Sequence, residues 1–411
     1  LPIPHSPLPK KNMQKNWQIG SLFGIPLFID PSWLFILLFV TAINAGEFDP
    51  TLRSVVAWGT GFVMALLLFG SVLLHELGHS LVARSQGIKV NSITLFIFGG
   101  IAAIDRESKT PGGAFQVAIA GPVVSLILSG LFYLLSKTIA SSGLAYSVVL
   151  DIATINLVLG LFNLIPGLPL DGGQVLKAAV WKITGNRFAG VHWAARTGKV
   201  IGGFAIALGL LLVLKTGDFS AIWLTLIGSF VFRNADAYDQ LTKLQETLLQ
   251  LVASDAMTRD YRVIDGTMSL RDFADQYILA DNRTPIPYYA AAHGRYQGLV
   301  SIEDLQTIER SRWEIDKLET IAHSLSEIPT VVEKTTLVEA IQKMETRQLK
   351  RLTVLTPADA IAGVIDRGDI VRAIATKLNL PISEAEIKRI KMEGTYPAGF
   401  QLGAIVQGMG G

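Results

Sequence analysis

Cysteine is absent from all 411 residues. Disulfides and thiolate ligands are therefore excluded, so any bound metal must be held by histidine, aspartate or glutamate; the redox compartment is left open. Charge is scarce as well. Only 17% of residues are charged while 50% are hydrophobic, against about 25% charged in soluble domains. The formal net charge of +2 carries no polyanion-binding signature, and no nucleic-acid partner is expected. A signal-peptide core is also lacking at the start of the chain. Residues 1–19, proline-rich at first, are expected to be a disordered or expression-derived leader.

Long apolar runs dominate up to residue 232, and an ordinary mixed sequence follows. The runs at 31–45, 55–83, 113–135, 144–165, 200–214 and 219–232 predict six transmembrane helices, the first extendable back through 25–29. Residues 174–199 are polar enough to predict an aqueous or interfacial connection. The stretch 89–104, rich in β-branched residues around Gly99-Gly100, predicts a membrane-associated β-hairpin after the second helix. Such a hairpin must pack on protein or face a wet cavity, because open strand edges are not tolerated in lipid. Six spans place both ends on one side. Arg84, Lys89, Arg106, Lys109, Lys177, Lys182, Arg187, Arg196, Lys199 and Arg233 fall there, against Arg53, Lys137 and Lys215 opposite. That side is predicted to be cytosolic.

Inside the second run stands His75-Glu76-Leu77-Gly78-His79. On a helix, residues four apart lie one above the other, so both imidazoles share a face with Glu76 beside them. Two neutral imidazoles that hold a metal, and a carboxylate that serves as base for its water, are the H-E-x-x-H zinc arrangement. Three ionisable groups in an otherwise uncharged span are costly and mark function. A third ligand is still required. Asp171, in Leu170-Asp171-Gly172, is the acid within a broken apolar segment. Taken alone, that stretch is good turn chemistry and Asp171 a backbone cap; a turn at membrane depth, however, is anomalous unless it lines a site.

Together HELGH, the Gly99-Gly100 hairpin, Ala120-Gly121-Pro122, and Asn163-Leu164-Ile165-Pro166 followed by Leu170-Asp171-Gly172 resemble the site-2 protease family of intramembrane zinc metalloproteases (M50-type) over residues 20–233. The resemblance implies one Zn2+ per chain held by His75, His79 and Asp171, with Glu76 as catalytic base. It further suggests that Asn163 positions the substrate backbone or the oxyanion, and that Phe98, Gly99, Gly100 and Ile101 form a strand that pairs with an extended substrate. The implied partners are the lipid bilayer and a membrane-spanning substrate, such as an anti-sigma factor or a membrane-tethered regulator, cut near its cytosolic end. A bacterial plasma membrane is the expected location, with an organelle membrane as the alternative.

After a linker helix at 234–250, two units of similar pattern occupy 251–311 and 312–380, and a tail runs from 381 to 411. Each unit ends as strand, turn and helix, in Gly298–Leu305 and Gly363–Ile370. They resemble a tandem of cystathionine-β-synthase (CBS) domains, an α/β module that often binds adenine nucleotides and can pair into homodimers. Ser301, Asp304 and Asp369 match the family's phosphate- and ribose-contacting positions. Asp366 stands where a hydroxyl residue is expected, and a carboxylate there would repel phosphate. A CBS-gated ion transporter or channel is the competing expectation, because intramembrane acids and a regulatory module suit it too. Against it, conduction does not require two imidazoles at i and i+4 beside a base, and no inverted repeat of broken helices is visible.

Overall fold

The computed structural model describes residues 16–48, 54–97, 99–139, 143–279, 286–396 and 402–409. The chain separates into two compact units, 1–242 and 243–411.

The first unit begins with strands β1 (Trp17–Leu22) and β2 (Ile25–Ile29), then helices α1 (Ser32–Phe48) and α2 (Val55–Ser85). Strands β3 (Val90–Phe96) and β4 (Gly99–Ile104) follow, then helices α3 (Pro111–Ser136), α4 (Leu144–Asn163), α5 (Asp171–Thr184), α6 (Arg187–Thr216) and α7 (Ile222–Gln250). The strands form one sheet in the order β1-β2-β3-β4. β2 and β3 are parallel, and both outer pairs are antiparallel. Ile25, Leu27, Val90 and Ile93 bury one face of this sheet against Leu77 and Ala83 of α2. Apolar contact of this kind is the main term holding sheet to helix.

Local chemistry sets the ends of the long helices. Ser54 caps α2 by accepting from Ala57 N, and Thr110 caps α3 ahead of Pro111; a side-chain oxygen here satisfies an amide that the helix leaves unpaired. α2 ends at Ser85 with Gln86 as its C-cap, and Gly87 adopts φ +75° while its N–H donates to Arg84 O.

Several sequence expectations change. Among the described residues four helices, α2, α3, α4 and α6, are long and apolar enough to cross a membrane by length and composition, where six spans were expected. α1 is a shorter apolar helix, because its supposed extension at 25–29 is strand β2. The apolar stretch at 219–232 forms a short 3-10 turn at Phe219–Ala221 and then the opening of α7, which runs without a break into polar sequence as far as Gln250. No proline or glycine interrupts it after Gly228, so the helix does not stop where the hydropathy does. The expected linker helix is therefore the second half of α7. Residues 174–199 are not an open connection. They form α5 and the first turns of α6, joined by Gly185 in the left-handed region and the N-cap Asn186. Their apolar residues pack on protein: Ala194 and Ala195 are buried against Leu168, with Leu176 and Val191 beside them. The leader boundary also moves, since Trp17 already lies in β1.

The second unit carries helix α8 (Ala253–Ala256), β5 (Arg262–Asp265), α9 (Leu270–Phe273), β6 (Tyr288–Ala292), β7 (Arg295–Val300), α10 (Ile302–Thr307) and β8 (Ala322–His323). It continues with β9 (Thr330–Val332), α11 (Leu337–Thr346), β10 (Arg351–Leu355), β11 (Ile361–Asp366), α12 (Arg367–Leu378), α13 (Glu384–Glu393) and α14 (Leu402–Met409). Its sheets have the orders β5-β6-β7-β8 and β11-β10-β9. In each, a parallel pair precedes an antiparallel hairpin and then a helix, so the internal repeat is a repeat of topology. The Tyr289 and Thr353 hydroxyls join the halves by a buried bond of 2.7 Å. The opening segment crosses over, with Thr258 N donating to Val364 O of the other half.

Candidate metal centre

His75 and His79 sit on the buried face of α2, 3% and 8% exposed. Asp171 is the first residue of α5, and its oxygen reaches both imidazoles: Oδ2 lies 3.0 Å from His75 Nε2 and 3.3 Å from His79 Nε2. The two Nε2 atoms are themselves 3.3 Å apart.

Asp171 is brought there by tight chain packing. A Cβ at Gly172 would overlap the carbonyls of Leu164 and Ile165, and one at Gly173 would overlap the backbone at Gly167 and Leu168. Only glycine lets the start of α5 fold back on the loop that precedes it. Sequence reasoning treated the stretch as a turn; it is a helix start pressed on a turn.

The donor set fits a zinc ion. Tetrahedral ligands at ~2.0 Å from a metal are separated by roughly 3.3 Å, close to the observed 3.0 to 3.3 Å. Three lone-pair acceptors facing one point repel each other unless a cation or proton lies between them. Each Nδ1 is already engaged, His75 with Ser125 Oγ at 2.9 Å and His79 with Val117 O at 2.6 Å. The Nε2 atoms are thus the ones turned inward. Space at the centre depends on Gly121, where a Cβ would stand 2.6 Å from His75 Nε2 and nearer still to His79. Among the described residues, His75, His79 and Asp171 are the one group of three such side chains able to hold a metal, their ligand atoms all within 4.8 Å of one another.

Glu76 is half-buried beside this group and faces β4, its Cγ 2.6 Å from where a Gly100 Cβ would lie. Gly99, Gly100 and Ile101 belong to β4, and Phe98 lies outside the described residues. β4 pairs with β3 and is the edge strand of its sheet. Asn163 ends α4, and its Nδ2 donates to Leu159 O of the same helix at 3.1 Å. Outside the spanning segments, Glu107 in the loop after β4 pairs with the buried Lys177 of α5 at 3.0 Å and with Arg187 at 3.6 Å. A cavity of about 620 Å³ opens beside that loop, lined by Gln86, Glu107, Lys109, Gly112, Gly113 and Gln116.

In the second unit, Ser301 caps α10 by accepting from Asp304 N at 3.0 Å, and Asp304 pairs with His323 at 2.7 Å. Asp369, expected to face a nucleotide, turns inward. It is 1% exposed and held by Lys391 Nζ at 2.5 Å, which also reaches Asp366 at 3.4 Å.

Sequence reasoning missed Ser125 and Val117 as partners of the imidazoles, and Lys177 and Glu107 as a pair. The spacing of Val117, Gly121 and Ser125, four apart on one helix, was the available signal.

Comparison with known proteins identifies the family. Residues 63–149 and 135–202 match Peptidase family M50, and residues 321–376 match the CBS domain. A Synechocystis protein named as a zinc metalloprotease is 38% identical over 89% of this chain and 97% of its own length. A Mycobacterium tuberculosis protein named likewise is 35% identical over 87% and 92%. The solved site-2 protease from Methanocaldococcus jannaschii is 31% identical, covers 55% of this chain and 95% of its own, and superposes with a TM-score of 0.42. Both of these curated relatives are named as proteases, not as the transporter or channel of the competing expectation. With its apolar helices in the bilayer and its CBS region following, the chain belongs to peptidase family M50, the site-2 proteases, and is a zinc metalloendopeptidase.

Proposed function

We propose that this enzyme carries out regulated intramembrane proteolysis, hydrolysing a peptide bond of a membrane-spanning protein near the cytosolic end of its span. One observation carries the reading: two imidazoles of one helix and a carboxylate 96 residues beyond the first of them converge beside a glutamate that lies against Gly100 of an edge strand. His75, His79 and Asp171 would hold the zinc. When bound, the ion supplies Lewis-acid polarisation of a carbonyl and makes a neighbouring water more acidic.

The chain's own residues do the rest. Glu76 takes a proton from the attacking water and delivers it to the leaving amine. Gly99, Gly100 and Ile101 offer backbone groups on the outer edge of β4 to an extended substrate, which must unwind from its helix to pair there. Asn163, at the end of α4, holds the substrate backbone or the developing oxyanion. Water enters from the cytosolic side past Gly112 and Gly113, where the cavity beside α3 lies. The basic residues about this end, Arg84, Lys89, Arg106 and Lys109 among them, support its cytosolic orientation in a bacterial plasma membrane.

For the CBS region we infer binding of an adenine nucleotide at Ser301 and Asp304, both at the start of α10, with modulation of cleavage and pairing of two copies as its consequences. Asp369 is committed to Lys391 and does not share this role.

Glu76→Gln in the full-length protein tests the proteolytic reading. The expected result is undiminished zinc content with cleavage of a transmembrane reporter reduced at least ~100-fold. Undiminished cleavage, or parent protein that binds no zinc, would overturn it.

A further inference from the structure

Helix α3 meets the two imidazoles along a single stripe. Val117, Gly121 and Ser125 are spaced by four, as His75 and His79 are on α2, so the facing residues fall in register. Val117 O takes His79 Nδ1 at 2.6 Å, Ser125 Oγ takes His75 Nδ1 at 2.9 Å, and Gly121 between them leaves room for both rings. The helices approach closely enough to fix this register: a Cβ at Gly78 would come within 3.0 Å of Ala120 O. Ser125 is fully buried and His75 nearly so.

We propose that α3 sets the tautomer of both imidazoles, with Ser125 as the positioning residue for His75. The inference rests on the zinc-site reading above and deepens it. Val117 O is a carbonyl and can only accept, so His79 carries its proton on Nδ1 and presents the Nε2 lone pair. His75 has no such fixed acceptor. Its Nδ1 proton needs the Ser125 hydroxyl oxygen, and without that partner the proton moves to Nε2, where it blocks ligation. A ligand's outer hydrogen bond of this kind sets both its orientation and its basicity. Ser129, the next residue along this stripe of α3 and also buried, makes no bond to either imidazole and serves as the matched control.

The test is zinc affinity, measured by chelator competition on the full-length protein, for the parent, Ser125→Ala, Ser129→Ala and His75→Ala. Ser125→Ala is expected to weaken zinc binding ~10- to 100-fold, the range for loss of a ligand's outer partner. Ser129→Ala should bind as the parent does, and the metal-free proteins should melt together. Should Ser125→Ala melt early, the cobalt-substituted visible spectrum of its folded fraction decides: shifted ligand-field bands support the proposal and parental bands overturn it. Affinity within twofold of the parent, or an equal loss in Ser129→Ala, overturns it too. If His75→Ala keeps parental affinity, the zinc-site reading itself has failed, and the proposal with it.

Discussion

Two imidazoles can share one metal only if nothing stands between them, and Gly121 keeps that space clear. Its missing Cβ would press on Nε2 of both His75 and His79. Neither ring can retreat, because Val117 O and Ser125 Oγ hold the opposite nitrogens. Gly121→Ala should therefore leave helix α3 intact, alanine being the better helix former, and still abolish high-affinity zinc binding. Zinc content alongside the melting temperature of the metal-free protein checks this; parental zinc affinity in the alanine variant would sink it. The contributions of His75, Glu76 and His79 were legible in the sequence because helical period alone puts them together. From its own surroundings Asp171 was legible only as an acid in an odd place, and the family resemblance made it a ligand. What brings it to the histidines is the close approach at Gly172 and Gly173, a fact of three-dimensional packing that no local period encodes.

At the level of elements, hydropathy found the long helices and misjudged where helices end. α7 outlasts its apolar stretch, and α5 with the start of α6 fills a segment polar enough to suggest an aqueous or interfacial connection, since capping and breaking residues, not polarity, terminate a helix. Another pairing invisible to local pattern is the seating of α13 on α12. Gly368 allows it, a Cβ there falling 2.5 Å from Lys391 Cγ. Lys391 then lies against Asp369, Asp366 and Asp260 at 2.5, 3.4 and 3.7 Å. Burial, and next the charge of Asp366, push the Asp369 carboxyl from 3.8 up to about 6, with Lys391 opposing. A carboxyl raised on folding binds its proton more tightly in the native state. Its contribution to stability is thus fully present below 3.8 and is lost as pH rises through about 6. Lys391→Met removes the opposing cation and should raise the carboxyl further. The variant's loss of stability is expected to be larger at pH 8 than at pH 5, read from the transition of the second unit in thermal melts. A loss equal at both pH values would show that Lys391 acts through packing alone.

Over the whole chain, the sequence carried two units and an internal repeat, and the repeat determines how many ligands the second unit can take. Both halves share the order of strand, helix, hairpin and helix, so symmetry alone would give two equivalent nucleotide sites. The side chains break that symmetry. In the first half, Ser301 and Asp304 stand at the start of α10, and the partner of Asp304 is His323, half-exposed on a neighbouring strand; a ligand can displace it at little cost, as is usual for exposed pairs. In the second half, Asp366 replaces a hydroxyl, both carboxylates cap α12, and Lys391 closes over them with Asp369 1% exposed. An incoming phosphate there would meet two carboxylates and would have to expel an ammonium that stabilises both, so repulsion and lost pairing act together. The full-length protein is accordingly expected to bind one adenine nucleotide per chain in calorimetric titration. Ser301→Ala with Asp304→Ala should abolish binding, whereas Asp369→Ala should leave its stoichiometry unchanged. Two nucleotides per chain, or binding that survives the double substitution, would place the ligand elsewhere and remove the asymmetry between the halves as its explanation.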